Sequence, residues 1–134
     1  MEEFPLQIVT PDGILFDGLV QRLVARTTQG DVGILKGHID YLAAIDTGQL
    51  SILTHEKQRL AAVSGGFLSV AAGAARVVAI TCEWAEEIDA ERAQKAKERA
   101  QEQLCQLEND REVKSAELRL RRALNRLNVS SKVT

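Results

Sequence analysis

The stretch Ile88-Asp89-Ala90-Glu91-Arg92-Ala93-Gln94-Lys95-Ala96-Lys97-Glu98-Arg99-Ala100-Gln101-Glu102-Gln103-Leu104-Cys105-Gln106-Leu107 opens a segment, reaching Val129, that holds no glycine or proline. Ala93, Ala96, Ala100, Leu104 and Leu107 recur three or four residues apart. Val113, Ala116, Leu120, Ala123, Leu124 and Leu127 do the same. That period predicts two helices, each with one apolar stripe. The polar run Glu108-Asn109-Asp110-Arg111-Glu112 suits the connection between them. Asp89 stands where an N-cap belongs, its carboxylate free to accept an early backbone N–H. The first stripe is mostly alanine, so a partner helix approaches closely but buries little apolar area. At about 25 cal/mol per Å² such a pairing is worth roughly a few kcal/mol. The hairpin reads as detachable.

Upstream of Glu87 the pattern changes. Leu6 to Thr10, Ile14 to Phe16, Val20 to Thr27, Val32 to Leu35, Tyr41 to Ile45, Leu50 to Leu53, Arg59 to Val63, Phe67 to Val70 and Val77 to Ile80 are short apolar or alternating runs. Between them lie Pro11-Asp12-Gly13, Asp17-Gly18, Gln29-Gly30, Lys36-Gly37-His38, Asp46-Thr47-Gly48, His55-Glu56-Lys57, Ser64-Gly65-Gly66 and Gly73. About eight to ten strands at this turn spacing predict an all-β sandwich or flattened barrel. All nine glycines fall in this part. The boundary is expected near Glu83-Trp84-Ala85-Glu86-Glu87, dividing the chain into residues 1–84 and 85–134.

Charge follows the same division. The net charge of −2 conceals an acidic N-terminal part and a basic hairpin. After Glu112 there are six basic residues (Lys114, Arg119, Arg121, Arg122, Arg126, Lys132) and one acid, Glu117. Arg119, Arg122 and Arg126 line one face of the second helix, and Asp89, Arg92 and Arg99 one face of the first. These rows read either as a solvated surface laced by pairs such as Glu91–Lys95, or as a grip on phosphate or on an acidic protein. An acidic protein without a stacking motif speaks against nucleic acid.

No apolar run nears the roughly 20 residues that span a bilayer, and the Met1-Glu2-Glu3 start is no signal peptide, so a soluble cytoplasmic chain is expected. Cys82 and Cys105 lack metal or disulfide spacing and are expected reduced. No phosphate-loop Lys-Ser/Thr pair follows Gly30–Gly37, and Ser64 is in no nucleophile motif. His38 and His55 read as surface-loop residues. No metal site or catalytic residue is expected. A carboxylate site at Glu83, Glu86 and Glu87 is the weaker reading beside a solvated linker.

Gly30-Asp31-Val32-Gly33-Ile34-Leu35-Lys36-Gly37-His38, Ser64-Gly65-Gly66-Phe67-Leu68 with Val70, Ile88-Asp89-Ala90-Glu91-Arg92-Ala93 and Arg121-Arg122-Ala123-Leu124-Asn125-Arg126-Leu127 occur in this order. Together they resemble the epsilon subunit of bacterial F-type ATP synthases along essentially the full chain. The resemblance implies a mainly β plus α protein, an N-terminal ten-stranded β-sandwich followed by a C-terminal antiparallel two-helix hairpin. It implies a non-catalytic rotor subunit at the cytoplasmic face of the cell membrane, its sandwich joining the gamma subunit to the c-subunit ring. It also implies a switch, in which the extended hairpin blocks ATP hydrolysis by the alpha/beta catalytic hexamer. ATP is the implied regulatory ligand, stabilising the folded hairpin. Carried over by position, its site is Ile88, Asp89, Arg92, Ala93, Arg99, Arg122 and Arg126, with Glu83 on the adenine or ribose side. Arg119, Arg121 and Arg122 are the implied inhibitory contacts. Where the family often has Gly-His-x-Pro-Leu, this chain has Gly37-His38-Ile39-Asp40-Tyr41. The rival reading is a free-standing nucleotide-sensing module.

Overall fold

The computed structural model describes residues 2–106 and 110–132. It divides into two compact units, Met1–Trp84 and Ala85–Thr134. The first holds β1 (Phe4–Thr10), β2 (Gly13–Val20), β3 (Arg22–Thr27), β4 (Gly30–Ile34), β5 (Tyr41–Leu53), β6 (Gln58–Ala71) and β7 (Ala74–Trp84). They form one sheet in the order β2-β1-β7-β6-β5-β3-β4. Every pairing is antiparallel except β1 with β7.

Alternation decides what this sheet buries. Phe4, Leu6 and Ile8 of β1 are buried, as are Leu23 and Ala25 of β3, Leu50 and Ile52 of β5, and Val77 and Ala79 of β7. All belong to one core, although β1 and β3 lie toward opposite ends of the strand order. Among its described residues this unit has no helix, so the sheet covers its own apolar face by folding into two layers. At the layer edge Phe16 of β2 meets Trp84 edge-on, with ring centroids 6.2 Å apart. The Arg59 guanidinium lies 3.6 Å over the same indole, a cation–π contact strengthened by burial.

The eight to ten strands expected from the turn spacing, ten by the resemblance, are seven among the described residues. Asp46-Thr47-Gly48 and Ser64-Gly65-Gly66 are not turns, because β5 and β6 run through them. Pairing between these strands passes from Ile45↔Gly66 to Gly48↔Val63, and the positive φ of Gly65 and Gly66 bends β6 there. Glycine-rich bends inside long strands look like turns in sequence. The expected single strand from Val20 to Thr27 is in turn broken at Gln21, whose N–H bonds the Leu53 carbonyl at 2.7 Å. Asp17-Gly18 is no reversal either, because β2 runs through it and pairs Asp17 with Gln7 and Gly18 with Leu6. The remaining turns stand where they were expected. Thr27 closes the β3–β4 turn, its hydroxyl donating to the Gly30 carbonyl at 2.7 Å and accepting from the Gln29 N–H at 3.1 Å.

In the second unit a 3₁₀ turn, Ala85–Glu87, precedes α1 (Ala90–Gln106) and α2 (Asp110–Ser131). Glu108 and Asn109 of the expected connection lie outside the described residues. Asp110, Arg111 and Glu112 belong instead to the first turn of α2, where an acid such as Glu112 favours the positive end of the helix dipole. The helices pack on each other. Ala93, Ala100, Ala116 and Ala123 are buried, whereas Leu124 is 42% exposed and falls outside the stripe assigned to it.

Candidate functional site

Asp89 performs the expected cap. Its Oδ1 accepts the Arg92 N–H at 3.0 Å, and its carbonyl accepts the Ala93 N–H at 3.0 Å. The carboxylate is thus spent on the helix backbone rather than on the Arg92 guanidinium. Ile88, half-buried, ties the preceding turn by donating its N–H to the Ala85 carbonyl at 3.4 Å. The outer face of α1 is solvated, with Lys95 3.7 Å from Glu91 and Gln94 bonded to Glu98 at 3.2 Å.

The two helices pack on each other, with Ala93 and Ala100 of α1 and Ala116 and Ala123 of α2 buried. Arg92 stands in the first turn of α1, and Arg122 and Arg126 in the second half of α2, so folding back of the hairpin carries them to the same end. Arg99 lies about 10 Å further along α1, at 1.5 Å per residue.

Burial separates these cations. Arg92, Arg99, Arg119 and Arg121 are exposed, whereas Arg122 and Arg126 are half-buried. The Arg122 Nε is buried and has no hydrogen-bond partner, an unfavourable state for a charged donor. The hairpin therefore gathers Arg92, Arg122 and Arg126 toward one end. Ala93 is buried in the helix-packing stripe. Glu83 stands on β7 in the first unit, part-buried and interacting with a neighbour. Glu86 and Glu87 are exposed in the 3₁₀ turn. Among the described residues no group of three His, Cys, Asp or Glu side chains is placed to hold a metal ion.

A second feature escaped sequence reading. The run Val77-Val78-Ala79-Ile80 looks like a strand buried on both faces. In the sheet Val77 and Ala79 are buried, but Val78 and Ile80 are exposed, as is Phe67 on the neighbouring strand. With Val9, Pro11 and Gly66 they line an open apolar cleft of about 550 Å³. Continuous apolar character across both faces was the available signal, since one of those faces here meets water.

Residues 3–85 match the family described as ATP synthase, Delta/Epsilon chain, beta-sandwich domain, and residues 86–131 match its long alpha-helix domain. The chain is 42% identical over 130 residues to the ATP synthase epsilon chain of Bacillus velezensis, covering 97% of this chain and 98% of that one. It is 40% identical over 133 residues to the ATP synthase epsilon chain of Ruminococcus albus, covering 98% and 99%. This chain belongs to the ATP synthase Delta/Epsilon family. As an epsilon chain it is a non-catalytic subunit of the synthase. Its fold is shared with a chain of the Euglena gracilis mitochondrial ATP synthase OSCP/F1/c-ring structure, at a TM-score of 0.83, 23% identity, and coverage of 98% and 82%. It is shared too with a chain of the Tetrahymena thermophila mitochondrial ATP synthase central stalk/c-ring, at a TM-score of 0.71, 17% identity, and coverage of 96% and 97%. No helix among the described residues of this epsilon chain is long and apolar enough to cross a membrane.

Proposed function

We propose that this epsilon chain is a central-stalk rotor subunit whose sandwich joins gamma to the c-subunit ring and whose hairpin restrains ATP hydrolysis. It would act at the cytoplasmic face of the cell membrane, within a proton- or cation-translocating synthase. The apolar cleft around Phe67, Val78 and Ile80 supports docking, because a soluble surface gains from covering such a patch. The observation that carries the regulatory part is Arg122, whose buried Nε has no partner at the end of the hairpin that also holds Arg92 and Arg126. A polyphosphate such as ATP supplies acceptors for that donor and neutralises the neighbouring cations. It thereby bridges two helices whose alanine contact is weak.

ATP then stabilises the folded hairpin only by its differential affinity for that state. An extended hairpin would present Arg119, Arg121 and Arg122 to an acidic surface of the alpha/beta hexamer. Charge-assisted hydrogen bonds contribute about 1.5–3 kcal/mol each, and 1.4 kcal/mol is about tenfold in affinity. Calorimetric titration should show Arg122→Ala and Arg126→Ala weakening ATP roughly ten- to a hundredfold, with Lys57→Ala, in the β5–β6 turn of the first unit, unchanged. Equal ATP affinity in all three variants would leave the arginine rows as a solvated or docking surface. Co-purification with gamma tests the rotor role, and a chain that binds ATP but never gamma would instead be a free-standing nucleotide sensor.

A further inference from the structure

The β6–β7 turn is built from residues that do not favour it. Ala71 pairs with Ala74, so Ala72 and Gly73 form a two-residue loop, and both have positive φ, 52° and 80°. Such loops favour Asn, Asp or Gly, because a Cβ in the left-handed region crowds the backbone and a local carboxyl or amide usually bonds the turn. Ala72 is the one non-glycine residue of positive φ among the described residues, and alanine has no polar group to offer. The missing acceptor comes from 32 residues away, where Asp40 Oδ1 takes the Ala72 N–H at 3.2 Å.

Asp40 ends the segment that links β4 to β5. That segment has its own internal ties. The His38 N–H bonds the Leu35 carbonyl at 3.1 Å, Gly37 turns at a φ of 85°, and His38 meets Tyr41 edge-on with centroids 5.7 Å apart. It also projects apolar side chains into solvent, Leu35 being 52% and Ile39 78% exposed.

We propose that Asp40 is a conformational clamp that fastens the Leu35–Asp40 segment to the β6–β7 turn, relieving a left-handed alanine at one end and holding exposed apolar residues in one arrangement at the other. Neither tie suffices alone. The turn has an unfavourable residue, and the segment has only short-range bonds to order it. A segment ordered before docking loses less conformational entropy when it docks, so the clamp readies this edge of the sandwich for a partner. That use rests on the rotor-docking reading above, but the clamp itself does not.

Hydrogen exchange followed by NMR on the full chain tests it. Asp40→Ala should speed exchange of the Ala72 amide about two- to twelvefold, the range of one net hydrogen bond of about 0.5–1.5 kcal/mol. Relaxation should show greater motion in residues 35–40, while core amides of β1 and β7 keep their protection. Asp40→Asn retains a carbonyl acceptor and should keep most of the Ala72 protection. Unchanged Ala72 exchange in Asp40→Ala, or acceleration spread evenly over the whole sheet, would overturn the clamp. A confirmed clamp in a chain that binds neither gamma nor the c-subunit ring would leave the clamp standing and count against the docking reading.

Discussion

Two side-chain environments in the sandwich have consequences that solution measurements can read. Arg26 Nε lies 2.6 Å from Asp31 Oδ1 across the β3–β4 hairpin. This hydrogen bond, with the attached charge, holds the Asp31 carboxyl below its ordinary value of 3.8. A carboxyl lowered in the folded state stabilises the fold above its unfolded value, and that contribution is lost as pH falls through the folded value. Arg26→Ala should therefore move the Asp31 titration, followed by NMR, upward to the ordinary carboxylate range. The pair is exposed, so high salt should shrink the difference. Cys82 is the opposite case. Burial, helped by the charge of Glu83, pushes its thiol from 9.0 up to about 12, so it stays protonated long after the unfolded chain would ionise. Its contribution is full below about 9 and lost between there and about 12. Only the thiolate reacts with disulfide reagents, and Cys105 is exposed. A thiol titration near neutral pH should find one fast cysteine, absent in Cys105→Ser, and should release the second only on unfolding.

The elements show where sequence reasoning reached and where it stopped. The hairpin was legible because a 3.6-residue period without glycine or proline has few other readings, and Asp89 announced the start of α1. Strand number was not legible, because Gly48, Gly65 and Gly66 mark bends inside β5 and β6 rather than chain reversals. Arg122 could be placed on a helix face from spacing, but its buried Nε depends on how the helices pack, which no local pattern encodes. The exposure of Val78 and Ile80 likewise depends on which face of the sheet finds a cover. The bend in β6 is testable. A Cβ built on Gly66 would stand 2.0 Å from the Val78 carbonyl oxygen, at a φ of 132°. Backbone cannot yield as a flexible side chain does, so Gly66→Ala combines overpacking with a disfavoured dihedral. A loss of about 3 kcal/mol or more is expected from those two costs, read from urea denaturation. Gly33→Ala in β4 is the control, since its Cβ would meet nothing within 4 Å and its φ is not positive. It should stay within about 1 kcal/mol of the parent.

At the scale of the whole molecule, the two units differ in what holds them together. The core cluster, from Phe4 to Trp84, lies wholly in the first unit and is filled by Leu, Ile, Val and aromatic side chains. The second unit buries four alanines of the helix pair together with Ala85, Val129 and Ser130, which removes far less apolar surface from water. Hydrophobic stabilisation scales with that surface, and isolated helices of this length are marginal in water. Residues 1–84 should accordingly fold alone, while residues 85–134 alone should be only partly helical. Trp84, the single tryptophan, is held between Phe16 and Arg59 within the first unit, so its emission reports the sandwich without a label. Urea unfolding of the 1–84 fragment, followed by Trp84 fluorescence, should be one cooperative transition, and circular dichroism of the 85–134 fragment should show helix content that falls gradually on heating. The apolar cleft around Phe67 lies in the same unit as the core. A folded 1–84 fragment should therefore still retain gamma in a pull-down, and Phe67→Asp should weaken that retention without unfolding the fragment. A fragment that folds cooperatively yet ignores gamma would show that the hairpin supplies part of the docking surface, and would count against assigning assembly to the sandwich alone.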